Sequence, residues 1–181
     1  MVQLLKGGQP YKMSKRAGNV ILMSDITSEI GSDALRFIFL TKKSDTHLEF
    51  DIDMLKNQDS SNPIFYINYA HARINQVFVK SNLSFEDIKN ESFEALNSEA
   101  LNLVYESLLL KSVLEDAFSK RDMQKITEYL YNLASSVHKF YNKHKIIGSS
   151  EEKTYLKVLS MAKLSLKTGL KLLGIEAKEI M

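Results

Sequence analysis

The 181-residue sequence contains no cysteine. That excludes a disulfide scaffold and any thiolate-held zinc. Its four histidines, His47, His71, His138 and His144, match no two-histidine metal spacing such as HExxH, so no metal site is expected. A charge excess of one sign is also missing. Lys and Arg total 24 against 22 Asp and Glu, a net charge of +2, too balanced for bulk charge to diagnose nucleic-acid binding. No apolar run approaches the roughly 18 residues that a membrane span requires. The N-terminal stretch lacks the apolar centre of a signal peptide. A soluble, cytoplasmic protein without a membrane partner is the expectation.

Chain breakers are scarce and unevenly placed. Only Pro10 and Pro63 occur, and four of the seven glycines (Gly7, Gly8, Gly18, Gly31) lie near the start, with none between Ser32 and Ile147. Interior Gly and Pro disfavour helix by about 1 and 3 kcal/mol. The distribution therefore predicts a loop-rich head and a long helical body. Val2–Leu5 reads as a strand closed by the turn Lys6-Gly7-Gly8-Gln9-Pro10. Val20–Met23 reads as a second short strand or extended piece, and Ser24-Asp25 as the cap of a helical turn. Gly31-Ser32-Asp33 opens a helix carrying Ala34, Leu35, Ile38 and Phe39, and Ser44–Phe50 reads as a loop.

Ser60-Ser61-Asn62-Pro63 is a helix start with Pro63 at the first helical position. After a polar stretch over Ser81–Asn97, a helical pattern runs from Leu101 to Phe118 and breaks at Lys120–Asp122. Ile126, Tyr129, Leu130, Leu133, Val137, Phe140 and Tyr141 repeat with helical period. Gly148-Ser149-Ser150 separates them from a last helix bearing Leu156, Leu159, Leu166, Leu170 and Leu173. The expected fold is mainly α: a helical bundle over residues 57–181, preceded by a short, mixed α/β, loop-rich segment over residues 1–56. No parallel-sheet βαβ pattern is visible.

Charge is segregated along the body. Acidic residues predominate over 86–128 and basic ones over 139–178. Lys163, Lys167 and Lys171 recur every four residues on one helix face, which suits either a solvated face or a ridge that meets phosphates. In the head, Lys12-Met13-Ser14-Lys15-Arg16 puts three cations within five residues, followed by Ala17-Gly18-Asn19. Such a loop is either a solvated basic turn or a polyanion-binding one, since well-placed cations stabilise charge developing on a phosphate.

Lys12–Arg16 resembles the KMSKS signature of class I aminoacyl-tRNA synthetases, in a variant ending in Arg. Gly31-Ser32-Asp33-Ala34-Leu35-Arg36 resembles the segment joining that loop to the anticodon-binding domain. Asn62-Pro63-Ile64-Phe65-Tyr66-Ile67-Asn68-Tyr69-Ala70-His71-Ala72-Arg73 resembles the NPxxYxxYAHAR stretch of arginyl-tRNA synthetases. Tyr129-Leu130 through Phe140-Tyr141, and Gly169 through Ile175 with terminal Met181, are similar to further parts of the same family in the same order. Two departures are visible. The family often ends in Pro-Glu-Arg-Met where this chain has Lys178-Glu179-Ile180-Met181, and Asn68 stands where Gln is common. A tail of the related cysteinyl enzyme would share the loop but not the NPxxYxxYAHAR stretch. A free-standing helical RNA-binding module would leave Lys12–Arg16 unexplained.

The resemblance implies a bacterial-type arginine–tRNA ligase, of which this chain is the C-terminal part with a DALR anticodon-binding domain. It implies arginine tRNA as partner, with ATP, Mg2+ and arginine used by a monomeric full-length enzyme. The upstream HIGH motif and nucleotide fold are not in this sequence, so the chain alone is expected to be inactive and to hold no cofactor. Lys15, Lys12 and Ser14 are the implied catalytic residues, with Lys15, Lys12 and Arg16 on the ATP phosphates. Tyr66, Tyr69 and Arg73, at i, i+3 and i+7 on one helix face, are candidate tRNA contacts, because Tyr stacks bases and Arg grips phosphate or stacks. Lys167 and Met181 complete that set. His71 reads as a packed histidine, and Asp33 with Arg36 as a cap and a structural ion pair.

Overall fold

The computed structural model describes residues 2–11, 21–93 and 96–181. Lys12, Ser14, Lys15 and Arg16 lie outside them. Two strands open the chain, β1 (Val2–Lys6) and β2 (Gln9–Pro10). They pair antiparallel, with Lys6 opposite Gln9. The turn between them needs left-handed backbone at both central residues, and Gly7 and Gly8 supply it with φ of 59° and 76°.

Helices α1 (Met23–Ile30) and α2 (Ser32–Leu40) follow, then β3 (Leu48–Asp51) and α3 (Ile52–Lys56). This region corrects three expectations. Ser44–Phe50 is not all loop, because β3 pairs with β1 in parallel from Val2 opposite Leu48 to Leu5 opposite Asp51. The β1–α1–α2–β3 path is therefore a small parallel crossover, in a sheet of order β2-β1-β3. The extended piece expected over Val20–Met23 ends earlier: Leu22 is extended, but Met23 already starts α1, where the Asp25 carboxylate accepts from the Leu22 N–H at 2.9 Å. Arg36 makes no ion pair with Asp33; it lies against Gly174, whose φ of +70° turns the chain beyond the last helix.

Leu4, Ile26, Leu35, Leu48, Phe50, Ile52 and Leu55 form one apolar cluster around the sheet. On α2, Leu35 faces this cluster, while Ala34 and Phe37 face the larger core of the bundle. The bundle consists of α4 (Pro63–Ser81), the single turn α5 (Phe85–Ile88), α6 (Ser98–Leu108), α7 (Leu110–Lys120), α8 (Gln124–Lys143) and α9 (Glu152–Leu172). The pattern expected to run unbroken from Leu101 to Phe118 is two helices that meet at Leu109. The Leu109 N–H is shared between the Tyr105 and Glu106 carbonyls, a bifurcation common at helix ends. Helix α9 packs against α4, α5, α6 and α8. Leu130, Leu156, Leu159, Leu166 and Leu170 are wholly buried there, so the fold is mainly α. No helix among the described residues is long and apolar enough to cross a membrane.

The end of α9 decides where the last residues go. The Gly174 N–H bonds to the Lys171 carbonyl and the Ile175 N–H to the Leu170 carbonyl, both at 3.0 Å. This is a Schellman closure, with Gly174 in the left-handed position and buried Ile175 returned to the core. The segment beyond it reaches α4.

Candidate nucleic-acid interface

Helix α4 is fixed at its start by one side chain. The Asn62 Oδ1 accepts from the Phe65 N–H at 3.2 Å, and its Nδ2 donates to the Leu55 and Asn57 carbonyls at 2.7 and 3.1 Å. Pro63 occupies the first helical position, where no N–H is required. From this fixed start α4 presents two different polar faces. Tyr66 and Asn68 differ by two residues, about 200° around the helix.

The first face carries Tyr66, Tyr69 and Arg73, and α8 meets it with Tyr131, His138 and Tyr141. The Tyr66 ring centroid lies 5.2 Å from that of Tyr131 and 4.5 Å from that of His138. Tyr69 stacks on His138 at 5.5 Å and on Phe65 at 6.0 Å. The Arg73 guanidinium carbon sits 4.5 Å from both the Tyr69 and Tyr141 ring centroids, a double cation–π contact. Its Nη2 donates to the Tyr69 hydroxyl at 2.8 Å and its Nη1 to His138 Nδ1 at 3.1 Å.

That last bond assigns the histidine. A guanidinium can only donate, so Nδ1 accepts, and the proton is on Nε2, which donates to the Tyr66 carbonyl at 3.2 Å. The ring is neutral. Burial holds its pKa below the ordinary 6.5 and the Arg73 charge pushes the same way, against the opposing pull of the Tyr66 carbonyl. Two of the five guanidinium donors are thus committed to orienting rings. Tyr66 stays half-buried and Tyr131 is 38% exposed, leaving an aromatic edge open to solvent. Sequence reasoning found Tyr66, Tyr69 and Arg73 as site residues but not Tyr131, His138 or Tyr141, the last of which it placed only in the helical repeat of α8. Tyr131 falls off the apolar stripe of α8, and an off-stripe aromatic at i−7 from a histidine was the signal available.

The opposite face of α4 holds the C-terminal segment. The Lys178 N–H donates to Asn68 Oδ1 at 3.0 Å, His71 Nδ1 donates to the Lys178 carbonyl at 2.8 Å, and Asn75 Nδ2 donates to the Glu179 carbonyl at 3.2 Å. His71 is fully buried, as its packed reading required. Burial is the main cause holding its pKa below 6.5, partly offset by the Lys178 carbonyl. From α9, Lys163 donates to Asn75 Oδ1 at 2.7 Å and Lys167 pairs with Glu179 at 3.7 Å. One member of the lysine ridge, Lys167, thus meets the tail directly and another, Lys163, meets the Asn75 side chain that holds it; the pKa of Lys163 is lowered by desolvation. Met181 ends this segment 44% exposed. The structure brings Tyr66, Tyr69 and Arg73 into one cluster and puts Lys167 and Met181 in a second group with the tail. Among the described residues no three His, Asp or Glu side chains are grouped so as to hold a metal ion.

A mainly helical domain with a partly open aromatic cluster around an arginine is a form suited to binding single-stranded nucleic acid. Residues 67–181 match the DALR anticodon binding domain, and the chain belongs to that family. It is 83% identical over all 181 residues to the arginine–tRNA ligase of Aliarcobacter butzleri and 58% identical to that of Nitratiruptor. It spans about a third of the length of these curated relatives, 34% in both cases. A crystal structure assigned as an arginyl-tRNA synthetase from Campylobacter jejuni superposes with a TM-score of 0.93 at 57% identity, covering 100% of this chain and 40% of that one. The Thermus thermophilus arginyl-tRNA synthetase shares the fold, with a TM-score of 0.72 at 19% identity over 98% of this chain and 34% of its own.

Proposed function

We propose that residues 57–181 bind the anticodon stem-loop of arginine tRNA, with Tyr66, Tyr69, Arg73, Lys167 and Met181 in contact with RNA. The observation that carries the reading is the Tyr66–Tyr131 edge, backed by His138 and by an arginine clamped between two further tyrosines. Base–aromatic stacking needs such a rigid, half-open ring, and a guanidinium with donors to spare reaches the adjoining phosphate. Residues 1–56 would carry the KMSKS-like loop of a full-length, monomeric, cytoplasmic ligase. There Lys15, Lys12, Ser14 and Arg16 would assist as the arginine carboxylate attacks the α-phosphate of ATP and pyrophosphate leaves. The tRNA terminal hydroxyl then takes the arginyl group from the adenylate and AMP leaves. Mg2+ would accompany ATP; no described residue is assigned to it. This chain alone would not activate arginine.

The test is filter binding of the 181-residue chain to arginine tRNA and to an unrelated tRNA at several salt concentrations. Tyr66→Ala should weaken binding to arginine tRNA by about 1–3 kcal/mol, the worth of one stacked base, and weaken the unrelated tRNA less. Lys167→Ala should weaken both alike and reduce the salt slope by about 1. If Tyr66→Ala lowered only thermal stability and left both affinities intact, the tyrosine would be a packing residue and the reading would fail.

A further inference from the structure

The aromatic cluster does not end at Arg73. Tyr141, the second ring under the guanidinium, is also one wall of a groove of about 250 Å³ between the C-terminal halves of α4 and α8. Gln76 and Lys80 continue the Arg73 face of α4 into it, and Lys145 and Ile147 close it from beyond the end of α8. Its floor is apolar: Val77 and Ile146 are buried. Lys80 and Lys145 are exposed and form no ion pair among the described residues. Most other bundle lysines are engaged. Lys143 meets Glu99, Lys120 and Lys125 meet Asp116, Lys163 meets Asn75, and Lys167 meets Glu179.

The groove lined by Leu103, Phe140, Lys139 and Lys143 also joins apolar walls to cations, but Glu99 lies in it and pairs with Lys143. The groove lined by Glu106, Asp116 and Glu128 is acidic. The broad one lined by Phe78, Phe85 and Leu164 is apolar, and nothing in the structure shows what covers it. An apolar floor with a polar rim and two uncompensated cations suits a nucleotide, whose base and sugar are amphipathic and whose phosphate is charged. Arg73 and Lys80 are seven residues apart, about 10 Å along α4, so cationic groups line one continuous track.

We propose that this groove is a second RNA subsite, which takes a further nucleotide of the loop that stacks at Tyr66, with Lys80 and Lys145 on its phosphates; Tyr66 and Lys80 are 14 residues apart, about 21 Å along α4, a span of several nucleotides. The proposal rests on the anticodon-binding reading. Its occupant is the single-stranded loop.

The experiment titrates the 181-residue chain with a transcript of the arginine tRNA anticodon stem-loop across a salt series. The variants are Lys80→Ala/Lys145→Ala, Lys80→Arg/Lys145→Arg, Tyr66→Ala, and Lys111→Ala as an exposed lysine on the acidic side. Two single-strand phosphate contacts predict a roughly tenfold loss near physiological salt, and a salt slope shallower by about 1.4, for the double alanine variant. The double arginine variant should restore both, and Lys111→Ala should change neither. Circular dichroism should show native helix content throughout, because both lysines are exposed and unpaired. If the double alanine variant keeps wild-type affinity and slope while Tyr66→Ala weakens binding, this subsite is refuted and the aromatic site stands. If Tyr66→Ala is silent but the double alanine variant weakens binding with a flatter slope, the phosphate contacts of Lys80 and Lys145 stand, while the stacked nucleotide at Tyr66 and the reading built on it are refuted. An equal loss with Lys111→Ala would reduce the effect to general attraction and refute the subsite.

Discussion

Acidification from pH 7.5 to 5.5 should destabilise this chain through two histidines, before its carboxylates titrate. His71 is fully buried, with Nδ1 donating to the Lys178 carbonyl, and His138 is 7% exposed between Arg73 and the Tyr66 carbonyl. Both have folded-state pKa values below the ordinary 6.5, chiefly from burial. In the unfolded chain each takes up a proton as pH falls through about 6.5, whereas the folded protein resists. Stability is therefore complete above that pH and declines below it until the depressed folded value is reached. Each histidine can remove up to about 1.4 kcal/mol over this interval, so the pair removes up to about 2.7 kcal/mol. The carboxylates act lower. Glu99, held down to about 2 chiefly by its bond from Lys143, contributes stability that is present above its unfolded pKa and lost as pH falls from there toward 2. Urea unfolding at pH 7.5, 6.5 and 5.5 measures the effect. His71→Asn, which keeps a donor near Nδ1, and His138→Gln, which keeps one near Nε2, should each flatten the dependence by about half. Equal stabilities at pH 7.5 and 5.5 in the parent chain would refute the neutral, buried assignment of both rings.

Two substitutions probe packing and capping. A Cβ on Gly169 would lie 2.6 Å from Leu130 Cδ2 in the buried α8–α9 contact. Gly169→Ala should therefore cost about 1–3 kcal/mol of overpacking, against a helix-propensity gain of at most about 1 kcal/mol. A thermal midpoint equal to or above the parent's would contradict this. Asn62→Ala removes the α4 cap and leaves the Leu55 and Asn57 carbonyls without their donor. It should lower stability by about 2 kcal/mol, the upper end for a lost cap, and an unchanged urea midpoint would show that the cap is redundant.

The helices of the bundle were legible wherever a local signal coincided with the boundary. Asn62-Pro63 marks the start of α4 because a side-chain acceptor and a missing N–H are both local requirements of a helix N-terminus. Gly148 and the 120–122 break were equally local. Strand β3 was not legible. Its only partner among the described residues is β1, more than forty residues away, and Thr46-His47 and Glu49 interrupt any apolar run. The break at Leu109 was hidden for the opposite reason. Leu108, Leu109 and Leu110 continue the apolar pattern, and no Gly or Pro marks the interruption. At the candidate site, spacing on one helix put Tyr66, Tyr69 and Arg73 together. Their complement on α8 depends on how two helices pack, which periodicity within one helix does not encode.

The two faces of α4 tie the proposed RNA surface to the end of the chain. Asn68, His71 and Asn75 hold the backbone of Lys178 and Glu179. The bonds of His71 and Asn75 go to main-chain carbonyls and tolerate any residue in the tail, whereas the bond to Asn68 needs the Lys178 N–H and would be lost with proline at that position. On the other face Tyr66, Tyr69 and Arg73 are oriented by side chains of α8, so that geometry depends on residue identity. His71 and Arg73 are two residues apart on one rigid helix, so a shift of α4 that disturbed the tail would also move the Arg73–His138 bond. Loss of the tail contacts should therefore be felt at the aromatic edge through the position of α4, without any contact between Met181 and those rings.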